Sequence, residues 1–77
     1  MFRPIEVKAI WDDEAEMWVA TSDDILGLAT EAPTTRDLVK RLNAVIPDLL
    51  AANGEHITND KVPYHLTSEL TSIAGDI

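Results

Sequence analysis

The chain has 77 residues, the size of one small domain, and a formal charge of −8 from 14 acidic and 6 basic residues. Such a charge disfavours binding to nucleic acid or to anionic lipid. No segment approaches the roughly 20 apolar residues of a membrane span, and the N-terminal residues predict no signal peptide. Cysteine is absent, which excludes disulfides and thiolate metal sites and favours the cytoplasm. Because small cores are marginal, we also expect a homo-oligomer.

The first part of the chain predicts an antiparallel hairpin. Residues 5–11 and residues 16–21 both alternate between two faces, as half-buried strands do. The segment between them, residues 12–15, is polar and rich in aspartate, as in turns. Trp11 and Trp18 flank this turn and should lie near each other across the hairpin. Their rings would serve either the core or contact with a partner.

A short strand and one convincing helix follow. Gly27 allows the chain to turn at positive φ before a third strand at residues 28–32. Thr34 and Asp37 have the spacing of a helix N-cap, and Asn53 with the next glycine is a stop signal. The apolar positions of the helix recur at helical spacing and predict one buried stripe: Leu38, Leu42, Val45, Ile46, Leu49 and Leu50.

Two prolines mark the second part of the chain. Pro47 removes one backbone hydrogen bond inside the helix, so we expect a kink or two helical pieces meeting there. Residues 61–66 predict a fourth strand, which Pro63 places at a sheet edge. Residues 1–67 then form the domain and residues 68–77 a partly disordered tail. The order β-β-β-α-β predicts an α+β fold, a small, mostly antiparallel sheet covered on one face by one kinked helix.

The residue types that carry catalysis or metal binding form no recognisable pattern. The two histidines, His56 and His65, have no cysteine or acid at ligand spacing. The acidic turn lacks the ligand spacing of a calcium loop, and the chain has no glycine-rich phosphate loop and no nucleophile elbow. We therefore expect no enzyme activity, no metal and no cofactor.

Six carboxylates and no basic residue lie between residues 12 and 24. They are Asp12, Asp13, Glu14, Glu16, Asp23 and Asp24. One interpretation is a solvated surface with no further role, since charge runs usually are solvated faces. The other is a patch that steers a basic partner.

One stretch resembles a known family. Asp24, Gly27, Thr34 and Asp37 stand in register with the N-terminal domain of HicB-like antitoxins, in which an acid and a glycine precede a threonine and an acid at the helix start. The chain also shares the patterns Ile-x-Val-x-Ala-x-Trp-Asp and Trp-x-Ala-x-Ser-Asp-Asp with short, single-domain HicB-like proteins of unknown function. The resemblance implies a partial ribonuclease-H-like fold without nuclease activity. It also implies a role in blocking a small, basic, mRNA-cleaving toxin of the HicA type.

Under this resemblance the six carboxylates would steer the encounter, and Trp11, Trp18 and Ile25 would supply contact area. An alternative is an orphan domain that binds no toxin and self-associates through an exposed strand edge. A third hypothesis, a metal-dependent nuclease, is disfavoured because Glu6 is the only acid in the interior of the first strand.

Overall fold

The computed structural model describes residues 4–54, 62–72, 74 and 75. Its elements follow the predicted order: β1 (Ile5–Asp12), β2 (Met17–Thr21), β3 (Ala29–Ala32), α1 (Thr35–Ala52) and β4 (Tyr64–Glu69). The strands form one sheet in the order β3-β2-β1-β4, and α1 packs on β2 and β3. The predicted α+β fold is confirmed.

The sheet is mixed. β1 pairs antiparallel with β2, and β2 pairs antiparallel with β3. β4 pairs parallel with β1, so the chain crosses over the sheet through α1 before it returns to the opposite edge. β4 is an edge strand as predicted, but it begins later than the sequence suggests. Pro63 precedes it, and the Pro63 carbonyl accepts a hydrogen bond of 3.2 Å from the Ile5 N–H.

The predicted boundary between domain and tail falls inside β4, since Ser68 and Glu69 belong to the strand. Residues 73, 76 and 77 of the predicted tail lie outside the described residues, as does the loop at residues 55–60 that carries His56.

Helix α1 begins and ends where the capping residues predict. Thr34 has extended backbone angles, and its hydroxyl oxygen accepts a hydrogen bond of 3.0 Å from the Asp37 N–H. Asn53 is the C-cap, and Gly54 follows it with φ 81°. The predicted stripe is confirmed, because its central side chains are buried: Leu38, Leu42, Ile46 and Leu50.

The break predicted at Pro47 is absent, and α1 is one continuous helix through that residue. Pro47 cannot donate to the carbonyl of Asn43, the residue four positions earlier. Asn43 is exposed, so water can satisfy that carbonyl. The apolar stripe on both sides of Pro47 is buried, and this burial offsets a penalty of about 3 kcal/mol for an internal proline.

The core lies between α1 and one sheet face. Small side chains line the sheet side, because Ala9, Ala20 and Ala32 are all completely buried. Large apolar residues from α1 and from the loop before β3 complete the cluster. The opposite sheet face carries no helix in the described chain, and Ile10 on that face is 51% exposed.

Tyr64 links β4 to α1. Its hydroxyl donates a hydrogen bond of 2.7 Å to the Asn43 side-chain oxygen. Burial raises the pKa of the Tyr64 hydroxyl above its usual value, because the phenolate would lose hydration.

Replacing Thr34 by alanine should lower the free energy of unfolding by about 1 kcal/mol, since the Asp37 N–H loses its acceptor. Urea denaturation followed by circular dichroism measures this change. The matched control is Thr35→Ala, which removes the same side chain one position later, where it is exposed and caps nothing. Equal losses in the two variants would show that the cap contributes nothing.

Tyr64 should make stability depend on alkaline pH. The folded chain holds the Tyr64 proton more tightly than the unfolded chain, so above the ordinary tyrosine pKa of about 10 the wild type loses stability as pH rises. The Tyr64→Phe variant lacks this proton. Its deficit relative to wild type in urea denaturation should therefore shrink between about pH 9 and about pH 11. A constant deficit would contradict the assignment.

Candidate partner-binding surface

The six carboxylates lie at the two ends of the β1–β2 hairpin. The hairpin register runs from Lys8 opposite Thr21 to Asp12 opposite Met17. Residues 12–16, which we call the acidic turn, lie at one end, whereas Asp23 and Asp24 follow β2 at the other. The length of β2 separates the two groups by roughly 17 Å at about 3.4 Å per residue. The acids therefore form two separate clusters instead of one patch.

Backbone geometry holds the acidic turn in place. The Asp12 carboxylate accepts hydrogen bonds from the Glu14 N–H at 3.0 Å and from the Ala15 N–H at 3.3 Å, as in an Asx turn. Glu16 closes the turn with φ 54°. Glu14 and Glu16 are exposed and make no ion pair with any residue that the structure describes. Their charges therefore face solvent and are available to a partner.

The two tryptophans lie next to the acidic turn. Trp11 and Trp18 are directly opposite each other in the hairpin, and their ring centroids are 5.4 Å apart in an edge-to-face arrangement. Their predicted proximity is confirmed. The Trp11 indole N–H donates a hydrogen bond of 2.8 Å to the Asp13 carboxylate. Both rings are half-buried, and both lie on the sheet face that carries α1.

A groove opens where α1 ends over this face. The helix starts at Thr35, so it leaves the tryptophan end of the sheet uncovered. The open volume is about 850 Å³, and we call it the aromatic groove. Its walls include Trp11, Asp13, Trp18, Pro33, Thr34 and Leu70. Leu70 is 59% exposed although it is large and apolar. The groove therefore combines apolar walls with one carboxylate, directly beside the acidic turn.

The other acidic cluster has a structural role. Pairing between β1 and β2 stops at Lys8 and Thr21. Beyond that point the Asp24 carboxylate accepts a hydrogen bond of 2.9 Å from the Glu6 N–H, and the Ser22 hydroxyl donates to the Glu6 carbonyl. These side chains continue the strand ladder where the backbone of β2 has left it. Asp24 therefore stabilises the start of β1, a role that the prediction of partner contact did not include.

Ile25 must be corrected as a contact residue. Its side chain is only 1% exposed and belongs to the core cluster. The turn that follows buries it: the Leu28 N–H donates a hydrogen bond of 3.3 Å to the Ile25 carbonyl, and Gly27 between them has φ 86°. The Asn53 side chain donates a hydrogen bond of 3.0 Å to the Leu26 carbonyl and ties this turn to the end of α1.

The open sheet face satisfies its charges internally. Glu6 and His65 lie 3.0 Å apart, and Lys8 and Glu69 lie 3.3 Å apart. Ile10 lies on the same face, one alternation further along β1 than Lys8. Among the residues that the structure describes, no three histidine or acidic side chains come close enough together to hold a metal ion.

Sequence patterns alone miss two parts of the groove. Leu70 falls in the predicted tail, although a large apolar residue just after a strand is a signal of packing or contact. The bond between Asp13 and Trp11 joins residues only two apart in the chain, but nothing in the pattern distinguishes Asp13 from its acidic neighbours.

The chain matches a known protein family over most of its length. A family model described as "Domain of unknown function (DUF1902)" matches residues 4–74. The chain belongs to the DUF1902 family. It is also similar to hypothetical protein TTHA1013 from the extremely thermophilic bacterium Thermus thermophilus, whose crystal structure is 42% identical in sequence with a TM-score of 0.71. That match covers 96% of this chain and 100% of the other. No curated protein matches the chain.

These comparisons establish a small α+β domain of the DUF1902 family and assign it no activity. The family description does not mention HicB-like antitoxins, so the resemblance given above stays a prediction. No helix in the described part of this DUF1902 chain is long and apolar enough to cross a membrane.

Asp23 and Asp24 should differ in their effect on stability. Asp24→Ala removes the acceptor of the Glu6 N–H and should lower the free energy of unfolding by about 1 kcal/mol. Asp23→Ala removes the same charge from the neighbouring exposed position and should change it by less than about 0.5 kcal/mol. Urea denaturation of both variants checks this. Equal losses would mean that charge, and not the hydrogen bond, determines the effect.

Proposed function

We propose that this DUF1902 chain is a non-catalytic, HicB-like binding module that sequesters a small basic protein. The partner named by the resemblance is an mRNA-cleaving toxin of the HicA type, which would place the complex in the cytoplasm. The fold would then be the partial ribonuclease-H-like domain of that family.

One observation carries the proposal: the exposed acidic turn lies directly beside the aromatic groove. Protein interfaces take most of their binding energy from a few large side chains, with tryptophan among the most common. Charges around such a site mainly raise the association rate and select the partner. The acidic turn and the groove together provide both parts at one end of the hairpin.

The charge of the chain agrees with a basic partner. A toxin that cleaves mRNA needs a positive surface for phosphates, and an acidic protein that covers this surface competes with RNA for it. The net charge of −8 would also steer such a partner from a distance.

A second candidate function, an orphan domain that self-associates, is favoured by the sheet itself. The outer side of β4 pairs with no strand in the described chain, and Ile10 is half-exposed on the uncovered face. A second copy could pair with that edge or cover that face. Sedimentation velocity across a range of concentrations separates the two functions, since a concentration-dependent dimer without a basic partner supports this one.

Affinity purification of the tagged chain from its own host at low salt should recover a small basic protein at near-equal stoichiometry. The recovered protein should cleave RNA when freed, and adding back an equimolar amount of this chain should stop the cleavage. Recovery of the chain alone across growth conditions, or a partner without RNA cleavage, would contradict the antitoxin function.

Reversing two charges in the acidic turn should slow association with that partner. The Glu14→Lys/Glu16→Lys double variant should reduce the association rate constant about tenfold at low salt and flatten its salt dependence. Stopped-flow fluorescence or surface plasmon resonance measures the rate. The matched control is Glu31→Lys/Asp48→Lys, which changes net charge equally at exposed sites outside the turn. Equal slowing in both variants would contradict a role for the turn.

A further inference from the structure

We propose that the aromatic groove binds an arginine side chain carried by the basic partner, with Trp11, Trp18 and Asp13 as the recognising residues. This inference rests on the proposed function, since it names the chemical group of the basic partner that enters the groove.

The charge in the groove favours a cation. Asp13 is its acidic wall residue, and no lysine or arginine of the described chain forms an ion pair with it. The Trp11 indole N–H occupies one site on the Asp13 carboxylate. A carboxylate accepts at about four lone-pair positions, so the remaining ones can receive donors from a ligand. The neighbouring carboxylates of the acidic turn add to the negative potential.

The aromatic walls favour a flat cation. The edge-to-face arrangement of Trp11 and Trp18 turns the two indole planes 63° from each other, so a ligand can lie over a ring face. A guanidinium stacks on such a face and also pairs with a carboxylate in the same plane. A lysine ammonium is more strongly hydrated and lacks the planar fork, so it satisfies this site less well.

The size of the groove favours a side chain on a peptide over a free small ion. About 850 Å³ exceeds the volume of one side chain and accommodates a short stretch of main chain. Leu70 and Pro33 provide apolar wall for the methylene part of the arginine or for its neighbours.

The start of α1 introduces an opposing charge, because backbone N–H groups at a helix N-terminus favour anions. Thr34 already accepts from the Asp37 N–H, and Asp37 contributes a carboxylate to the first turn. The helix start is therefore capped and its positive end is compensated, although Arg36 is exposed nearby. These contacts leave Asp13 as the main charge that a ligand meets in the groove.

Titration with two synthetic hexapeptides tests the inference. The probes are a capped Gly-Arg-Gly-Arg-Gly-Arg peptide and its lysine counterpart, followed at low salt by the indole N–H signals of Trp11 and Trp18 in ¹H–¹⁵N spectra. The arginine peptide should shift both signals and bind several-fold more tightly than the lysine peptide. An equal response to both peptides, or a stronger response to a Gly-Glu peptide of the same length, would overturn the proposal.

A matched pair of variants locates the effect. Asp13→Asn keeps an oxygen for the Trp11 N–H but removes the charge, and it should weaken binding of the arginine peptide about tenfold. Asp23→Asn removes one charge at the far end of the hairpin and should weaken it less than about twofold, because a distant exposed charge contributes little. Equal weakening would reduce the effect to net charge and overturn the groove.

The two proposals fail separately. If the Asp13→Asn variant retains full affinity for the basic protein purified from the host, the proposed function stands and the groove is not the site. If no basic protein is recovered but the arginine peptide binds with the expected selectivity, the groove stands and the toxin partner is wrong.

Discussion

The alanines under helix α1 are the constraint on which the rest of the structure depends. Ala9, Ala20 and Ala32 are completely buried, one on each of the strands β1, β2 and β3. Their small side chains let the large residues of α1 approach the sheet closely, and all of them belong to one core cluster. A larger residue at these positions would overpack the core and displace the helix.

The same constraint creates the groove. Side chains alternate along a strand, so a register that points Ala9 and Ala20 toward α1 also points Trp11 and Trp18 to that side. The helix begins too late in the chain to cover the tryptophans. The aromatic groove is therefore the uncovered end of the core-facing surface, and the acidic turn lies beside it because the hairpin turns there.

Local patterns predict much of the fold. The alternation of β1 and β2, the cap at Thr34 and the stripe from Leu38 to Leu50 each depend on neighbouring residues, and each is present. The parallel pairing of β4 with β1 could not be predicted from local pattern, because it joins residues that lie far apart in the chain, such as Ile5 and Tyr64. The break predicted at Pro47 is wrong because burial of the helix stripe outweighs the loss of one backbone bond.

The site is less predictable than the fold. The sequence presents the six carboxylates as one run, but the length of β2 divides them. The sequence also does not distinguish Asp24, which bonds to the start of β1, from Asp23, or show that the turn at Gly27 buries Ile25. These properties depend on where the hairpin ends relative to the other strands, and no short motif records that.

Amide hydrogen exchange on the complex with the recovered basic protein tests the central claim most directly. The account predicts slower exchange in residues 13–16 and 70–72 on binding, since the acidic turn and the far wall of the groove become covered. Exchange in residues 23–28, at the other end of the hairpin, should not change. Protection confined to residues 23–28, or to the outer edge of β4, would contradict the claim that the tryptophan end of the hairpin is the binding surface.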